Sequence, residues 1–402
     1  MNIRHESIFS FETLLECELQ TRLAKIFKVL DCNLVGHQLS KPFSRGPLRY
    51  KKASLLRALL AKYVYGIPNT AKLVERLSSD IRLRYDCGFP LYEAIPSTAT
   101  FCRFIKNLSK TSSLQELFDN LVQRAFAFGV MDGTHVAIDA SKIDAYEKAK
   151  PRKQVVKDGE HADWGSKQDT NGNQITWFGY KIHAIVDTYS ELPIAITLTP
   201  ANQHDATQAI PLIDLASKHS PQARYFMMDS GYDSKEIYET LRKRQMQAII
   251  PLNLRGEKVP PEGLDANRTP ICSMGYSMVY WGADEKTGEL KFRCPHVCGK
   301  VDCPMGSQWC SSSNYGYVVK KYVEEDSRSF CAPHRGTTNW DKLYNKRTSV
   351  ERFFSRLKEH VMADNLTVGG IKKAKAHLLL SCITLIAGTL AMNQCASSQK
   401  AA

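Results

Sequence analysis

YNKRTSVERFFSRLKEH, Tyr344–His360, sets Tyr344, Arg347, Glu351 and Lys358 beside a run of apolar residues. At about 100° per residue, its periodicity predicts one helix over 344–362. On that helix the four polar residues share a sector of about 60°. Val350, Phe353, Phe354, Leu357 and Val361 form the adjoining stripe. A charged row of this kind is ordinarily a solvated helix face, and an Arg347–Glu351 pair at i,i+4 adds only about 0.2–0.5 kcal/mol. A carboxylate flanked by two cations and a phenol also suits a wall that grips phosphate, because a guanidinium forks onto phosphate oxygens. The remainder of the chain has to decide between these readings.

The 402 residues carry 54 Lys and Arg against 41 Asp and Glu, a net charge of +13. Such a balance points to a polyanionic partner, nucleic acid before an anionic membrane surface. Residues 1–130 hold 19 basic and 11 acidic residues, a surplus of +8. With 43% hydrophobic residues the chain can bury a full core, which excludes general disorder. MNIRHESIFSFETLLECELQ is charged throughout and does not read as a secretory signal. The longest apolar run, Leu378–Met392, has 15 residues; a bilayer span needs about 20, so a buried helix is expected. The 12 cysteines are expected to be reduced thiols in a cytoplasmic protein.

Periodicity divides the chain. Residues 1–130 read as helical, with apolar spacing in SLLRALLAKYVYG and TAKLVERLSSDIRLRY. IPSTATFCRFIKNLSK adds a short basic helix capped by Ser97 or Thr98, which would suit a helix–turn–helix reader of DNA and equally an ordinary helical pair. From 131 to 252, THVAIDASKIDAY, WFGYKIHAIVDTYSELPIAITLTPA, RYFMMDSGY and QAIIPL read as strands, with helices at HDATQAIPLIDLASKH and DSKEIYETLRKRQ between them. That order predicts an α/β fold with a mixed sheet. Residues 253–341 break into short β patterns (GYSMVYWG, LKFRC, YGYVVKKYV), a β-rich insertion rather than a loop. Helices return over 342–402.

Tyr, two residues, Arg, three residues, Glu, six residues, Lys is the Y-R-E-K pattern of bacterial insertion-sequence DDE transposases, and Tyr344, Arg347, Glu351 and Lys358 match every interval. The resemblance covers roughly residues 45–395, including the helical lead-in and the β-rich insertion. It implies an RNase H-like core split by that insertion, with a helical DNA-binding region before it. It also implies two aspartates, one on the first core strand and one ending the fourth. HVAIDASK supplies Asp139 and RYFMMDSGY supplies Asp229, both ending apolar strand patterns, where α/β sheets commonly carry function. Singly, each has rivals that would serve as turn or cap residues: Asp132 and Asp144 for the first, Asp187 and Asp233 for the second.

By this resemblance Asp139, Asp229 and Glu351 would be catalytic and would hold two Mg²⁺ or Mn²⁺ ions, for which carboxylate oxygens are suitable ligands. Tyr344, Arg347 and Lys358 would bind the DNA backbone. The implied activity is cleavage at transposon ends and joining of the 3′-OH to target DNA. Its implied partners are terminal inverted repeats, target DNA and a second copy of the chain, on the nucleoid. A metal-dependent nuclease that does not join strands, and an inactive sequence-specific DNA binder, are the competing functions.

Three further stretches stay open. CPHVCGKVDCPMGSQWC places Cys294, Cys298, Cys303 and Cys310 close enough in sequence for a structural zinc site, although the spacing is not that of a CxxC ribbon. GYKIHAIVD puts Lys181 and His183 on one face of a strand, read as its polar face. In ANQHDATQ, Asp205 reads as the N-cap of the following helix.

Overall fold

The structure, a computed structural model, describes residues 20–38, 50–149, 161–168, 171–284 and 286–400. Among these, seven helices come first: α1 Arg22–Val29, α2 Cys32–Gln38, α3 Lys52–Val64, α4 Thr70–Ser79, α5 Ile81–Asp86, α6 Thr98–Leu108 and α7 Ser113–Ala127. Ser97 caps α6 as expected, accepting from Thr100 N. TAKLVERLSSDIRLRY is two helices because Asp80 caps the second, its carboxylate accepting from Leu83 N at 2.9 Å.

Strands β1 His135–Asp144, β2 Asp163–Gln168, β3 Gln174–Asp187, β4 Pro193–Pro200, β5 Tyr225–Met227 and β6 Gln247–Ile249 form one sheet, with helices α8 Ala209–Ser217 and α9 Lys235–Lys243 between the later strands. The order is β2-β3-β1-β5-β6, with β4 also on β3. β1 is antiparallel to β3 and parallel to β5, so the sheet is mixed, as the sequence pattern predicts. β2 has no counterpart among the strands expected from the sequence. It pairs with the first half of β3 and β4 with the second half. Gly179 sits where β1, β2 and β3 meet, and a Cβ there would lie 2.1 Å from Ile143 O. No other residue fits that approach.

The insertion is a three-stranded antiparallel sheet of β7 Val279–Asp284, β8 Glu289–Arg293 and β9 Val318–Tyr322. Three helices follow: α10 Thr338–Asn345, α11 Thr348–Glu359 and α12 Ile371–Lys400. The single helix expected over 344–362 is therefore divided. Thr348 Oγ1 bonds back to Asn345 O at 3.0 Å, and Arg347 N closes a tight turn on Tyr344 O at 2.8 Å. Tyr344 lies in the last turn of α10, while Arg347 is the N-cap residue of α11.

The predicted stripe holds: Val350, Phe353, Phe354 and Leu357 are buried as α11 lies across β1 and β3. α12 packs against α1, α3, α6, α7 and β4, so one apolar core runs from the first helices through the sheet. The stretch Ile371–Gln394 is long and apolar enough to cross a membrane, yet 78% of its most apolar window is buried inside the protein, as expected of a core helix.

His377 ties α12 to α3. Its Nδ1 lies 2.8 Å from Tyr63 Oη and its Nε2 lies 3.1 Å from Met362 O. A neutral ring with its proton on Nε2 satisfies both contacts. Burial holds His377 down to about 4, against 6.5 for a free histidine. Between those values the unfolded chain takes up a proton that the folded chain refuses. The contribution is therefore complete above about pH 6.5 and is lost as pH falls toward 4, a total of about 3 kcal/mol. Urea midpoints measured from pH 7 to 4 should fall less steeply for His377→Gln than for the intact protein.

Candidate active site

β1 and β5 run parallel with Ala137 opposite Met227. Asp139 and Asp229 each lie two residues past that pair, so parallel register sets them abreast. Asp139 Oδ1 accepts from Ala140 N at 2.7 Å, and Asp229 Oδ1 accepts from Gly231 N at 2.9 Å. Asp139 and Ser141 share a strand face by alternation, and α11 crosses that face.

Arg347 joins the two elements. Its Nη1 lies 3.3 Å from Asp139 Oδ2, and its Nη2 donates to Glu351 Oε1 at 2.6 Å. Farther along α11, Lys358 Nζ donates to Ser141 Oγ at 2.8 Å. Tyr344 stacks on Trp340, with ring centroids 5.0 Å apart. The Arg347 guanidinium lies 5.9 Å from the centre of the Tyr344 ring. The six residues singled out from the sequence thus fall in one neighbourhood, with Tyr344 beside Arg347 rather than on the same straight helix.

Burial pushes the Asp139 carboxyl up to about 7; Asp229 adds to this, and the Ala140 N–H and Arg347 oppose it. Asp229 is also raised, by burial first, with the Gly231 N–H and Arg347 opposing. Two half-buried carboxylates side by side disfavour a second negative charge, and a cation between them would remove that cost. Glu351 is freer, its side chain 53% exposed. Among the described residues no three His, Cys, Asp or Glu side chains are arranged, as they stand, to hold a metal ion. Arg347 is the cation that spans Asp139 and Glu351.

The rival aspartates have structural partners. Asp132 accepts from Thr134, and exposed Asp144 lies 3.8 Å from Lys142. Asp187 accepts from Gly133 N, Ser190 N and Ser190 Oγ, which fixes the β3–β4 turn. Asp233, 1% exposed, pairs with Arg328 of the insertion.

Asp205 departs from expectation. His204 occupies the cap position, a 3₁₀ turn runs over Asp205–Gln208, and α8 begins at Ala209. Lys181 and His183 do share a face, but it is not a solvated one: His183 is fully buried. Lys181 Nζ donates to Asp205 Oδ1 at 2.9 Å, and His183 Nδ1 lies 3.9 Å from the same oxygen. Asp205 adds its negative field to that of burial at both Asp139 and Asp229. The available signal was its place just after a strand, which the cap reading absorbed.

The chain matches the model of the transposase DDE domain over residues 131–387, a span that takes in β1, β5, the insertion and α11. It belongs to the transposase DDE family. A second model, the transposase domain DUF772, matches residues 12–107. The protein is accordingly a DDE-type transposase. Among solved structures, the piggyBac transposase synaptic complex with hairpin DNA is similar at 14% identity, over 92% of this chain and 75% of that one, with a TM-score of 0.39. The Mos1 transposase paired-end complex with left transposon end is similar at 18% identity, over 52% of this chain and 61% of that one, with a TM-score of 0.18.

Proposed function

We propose that this transposase cuts DNA at the ends of its insertion sequence and joins the freed 3′-OH to target DNA, using Asp139, Asp229 and Glu351. The observation that carries the reading is the meeting of Asp139, abreast of Asp229, with the Arg347–Glu351 pair of α11. The order β4-β3-β1-β5-β6 supports an RNase H-like core over 131–252 and 342–402, interrupted by the insertion at 253–341. The Y-R-E-K spacing supports the insertion-sequence group.

The three carboxylates fit hard divalent cations, because they supply only oxygen donors and two of them are held against their own ionisation. Bound Mg²⁺ or Mn²⁺, two ions in this reading, would activate the attacking hydroxyl and neutralise charge on the leaving oxygen. Arg347, released from Asp139, forks onto non-bridging phosphate oxygens. Lys358 holds an adjacent phosphate as a point charge, anchored meanwhile by Ser141. Tyr344, beside Arg347, contacts the same stretch of DNA backbone. The helices of 1–130, with their surplus charge, grip the terminal inverted repeats. Two ends are paired by two copies of the chain, on the nucleoid in the cytoplasm.

The test is cleavage and joining of a labelled duplex carrying the element's end, with Mg²⁺, by intact protein and by Glu351→Gln. Intact protein should cut and join, and the variant should bind and do neither. Cutting without joining would make the protein a nuclease. Tight binding that needs no metal, with no cutting, would make it a DNA binder. A fully active Glu351→Gln would remove the third acid from the assignment.

A further inference from the structure

Few apolar side chains are buried inside the insertion: Met278, Leu290, Phe292 and Phe330 form its core. A unit with so thin a core needs another tie, commonly a disulfide or a metal. Cys272, Cys294, Cys298, Cys303 and Cys310 are all free thiols. Four of these cysteines, Cys272, Cys294, Cys303 and Cys310, line one cavity together with His296. They converge from distant positions. Cys272 precedes β7, Cys294 directly follows β8, and Cys303 and Cys310 belong to turns before β9.

Two of these cysteines occupy the same kind of turn. Gly275 N donates to Cys272 O at 2.9 Å, and Gly306 N donates to Cys303 O at 3.0 Å. The two glycines have φ of 82° and 65°. A turn ending in a left-handed glycine gathers backbone N–H groups into a concavity that stabilises an anion, as at many Fe–S sites. A thiolate is such an anion. Cys298 is not part of the cavity lining.

We propose that Cys272, Cys294, Cys303 and Cys310 bind one structural Zn²⁺ that fastens the insertion. Four S–H bonds give their protons to water, four Zn–S bonds form, and no electron is transferred. The thiols ring the cavity without meeting, since no such group stands ready to hold an ion among the described residues. Zinc binding would draw the four thiols together around the ion. Cys272, which lies far upstream of the other three, takes the place that the sequence grouping gave to Cys298.

Elemental analysis of full-length protein, expressed with zinc and freed of loose metal by gel filtration, tests it. A single zinc per chain is expected, retained in Cys298→Ser, Cys102→Ser and Asp139→Asn and reduced by more than half in Cys272→Ser and Cys303→Ser. Because loss of zinc in the latter variants could also follow from misfolding, metal-stripped intact protein is titrated with Co²⁺ as well. It should develop thiolate-to-cobalt charge-transfer absorption and tetrahedral ligand-field bands. Absence of zinc together with absence of that absorption overturns the proposal, as does iron in place of zinc. Loss of zinc from Cys298→Ser with full retention in Cys272→Ser overturns the ligand set.

Discussion

Asp139→Asn should lower strand cleavage by at least about a thousandfold, about 4 kcal/mol of barrier, while binding to the duplex persists. The side chain keeps its size, so the loss reports charge. The amide offers one weak oxygen where the reaction needs an anionic ligand, and it also releases Arg347 from its contact on β1. Thermal stability should hold or rise, because one of two repelling carboxylates is gone. Single-turnover cleavage, electrophoretic binding and a melting curve on the same preparation check the three statements. The intact protein carries a related pH signature. With Asp139 raised to about 7, an incoming cation must displace a proton below that pH. The Mg²⁺ concentration needed for half-maximal cleavage should therefore fall as pH rises from about 6 to about 8, and then level off.

Asp233→Ala should destabilise the fold by about 3–5 kcal/mol, the usual result of removing one partner from a buried ion pair. Asp233 Oδ2 takes Arg328 Nη2 at 2.8 Å and Asn253 N at 2.7 Å, and Arg328 also reaches Asn253 O at 3.0 Å. The pair locks the end of the insertion to the turn that follows Asp229. Without it, a guanidinium and a backbone N–H lose their partner together. Urea unfolding should show the loss. Arg328→Met added to Asp233→Ala should recover part of it, since the stranded charge is removed. Asp229→Ala, four residues away, should cost little stability and nearly all activity. That contrast separates two aspartates that look alike in sequence.

What was legible and what was not follows from the range of the forces involved. The α11 stripe was readable because helical period is local, and Asp139 and Asp229 were readable because apolar runs precede them, although β1 does not end at Asp139 as expected but continues to Asp144. The break between α10 and α11 depends on one hydroxyl bonding back to Asn345, which periodicity does not register. β2 is a short, largely exposed strand whose partner on β3 defines it, so its pattern was faint. Asp205 was misread because a cap and an ion partner look identical in sequence. The role of Asp233 depends on Arg328, 95 positions later, and Cys272 joins its cavity across two intervening strands. Contacts of that separation leave no local trace.

The way α12 closes the core bears on how the molecule is made. The helices at the front of the chain rest against a segment that the ribosome delivers last of the described elements. While translation is under way, α1, α3 and α7 expose the apolar surfaces that α12 will cover, so these helices cannot settle during synthesis. A ribosome that stalls or drops off before Ile371 leaves the apolar faces of these helices uncovered. Completion of the polypeptide is in this sense the licence for its first half.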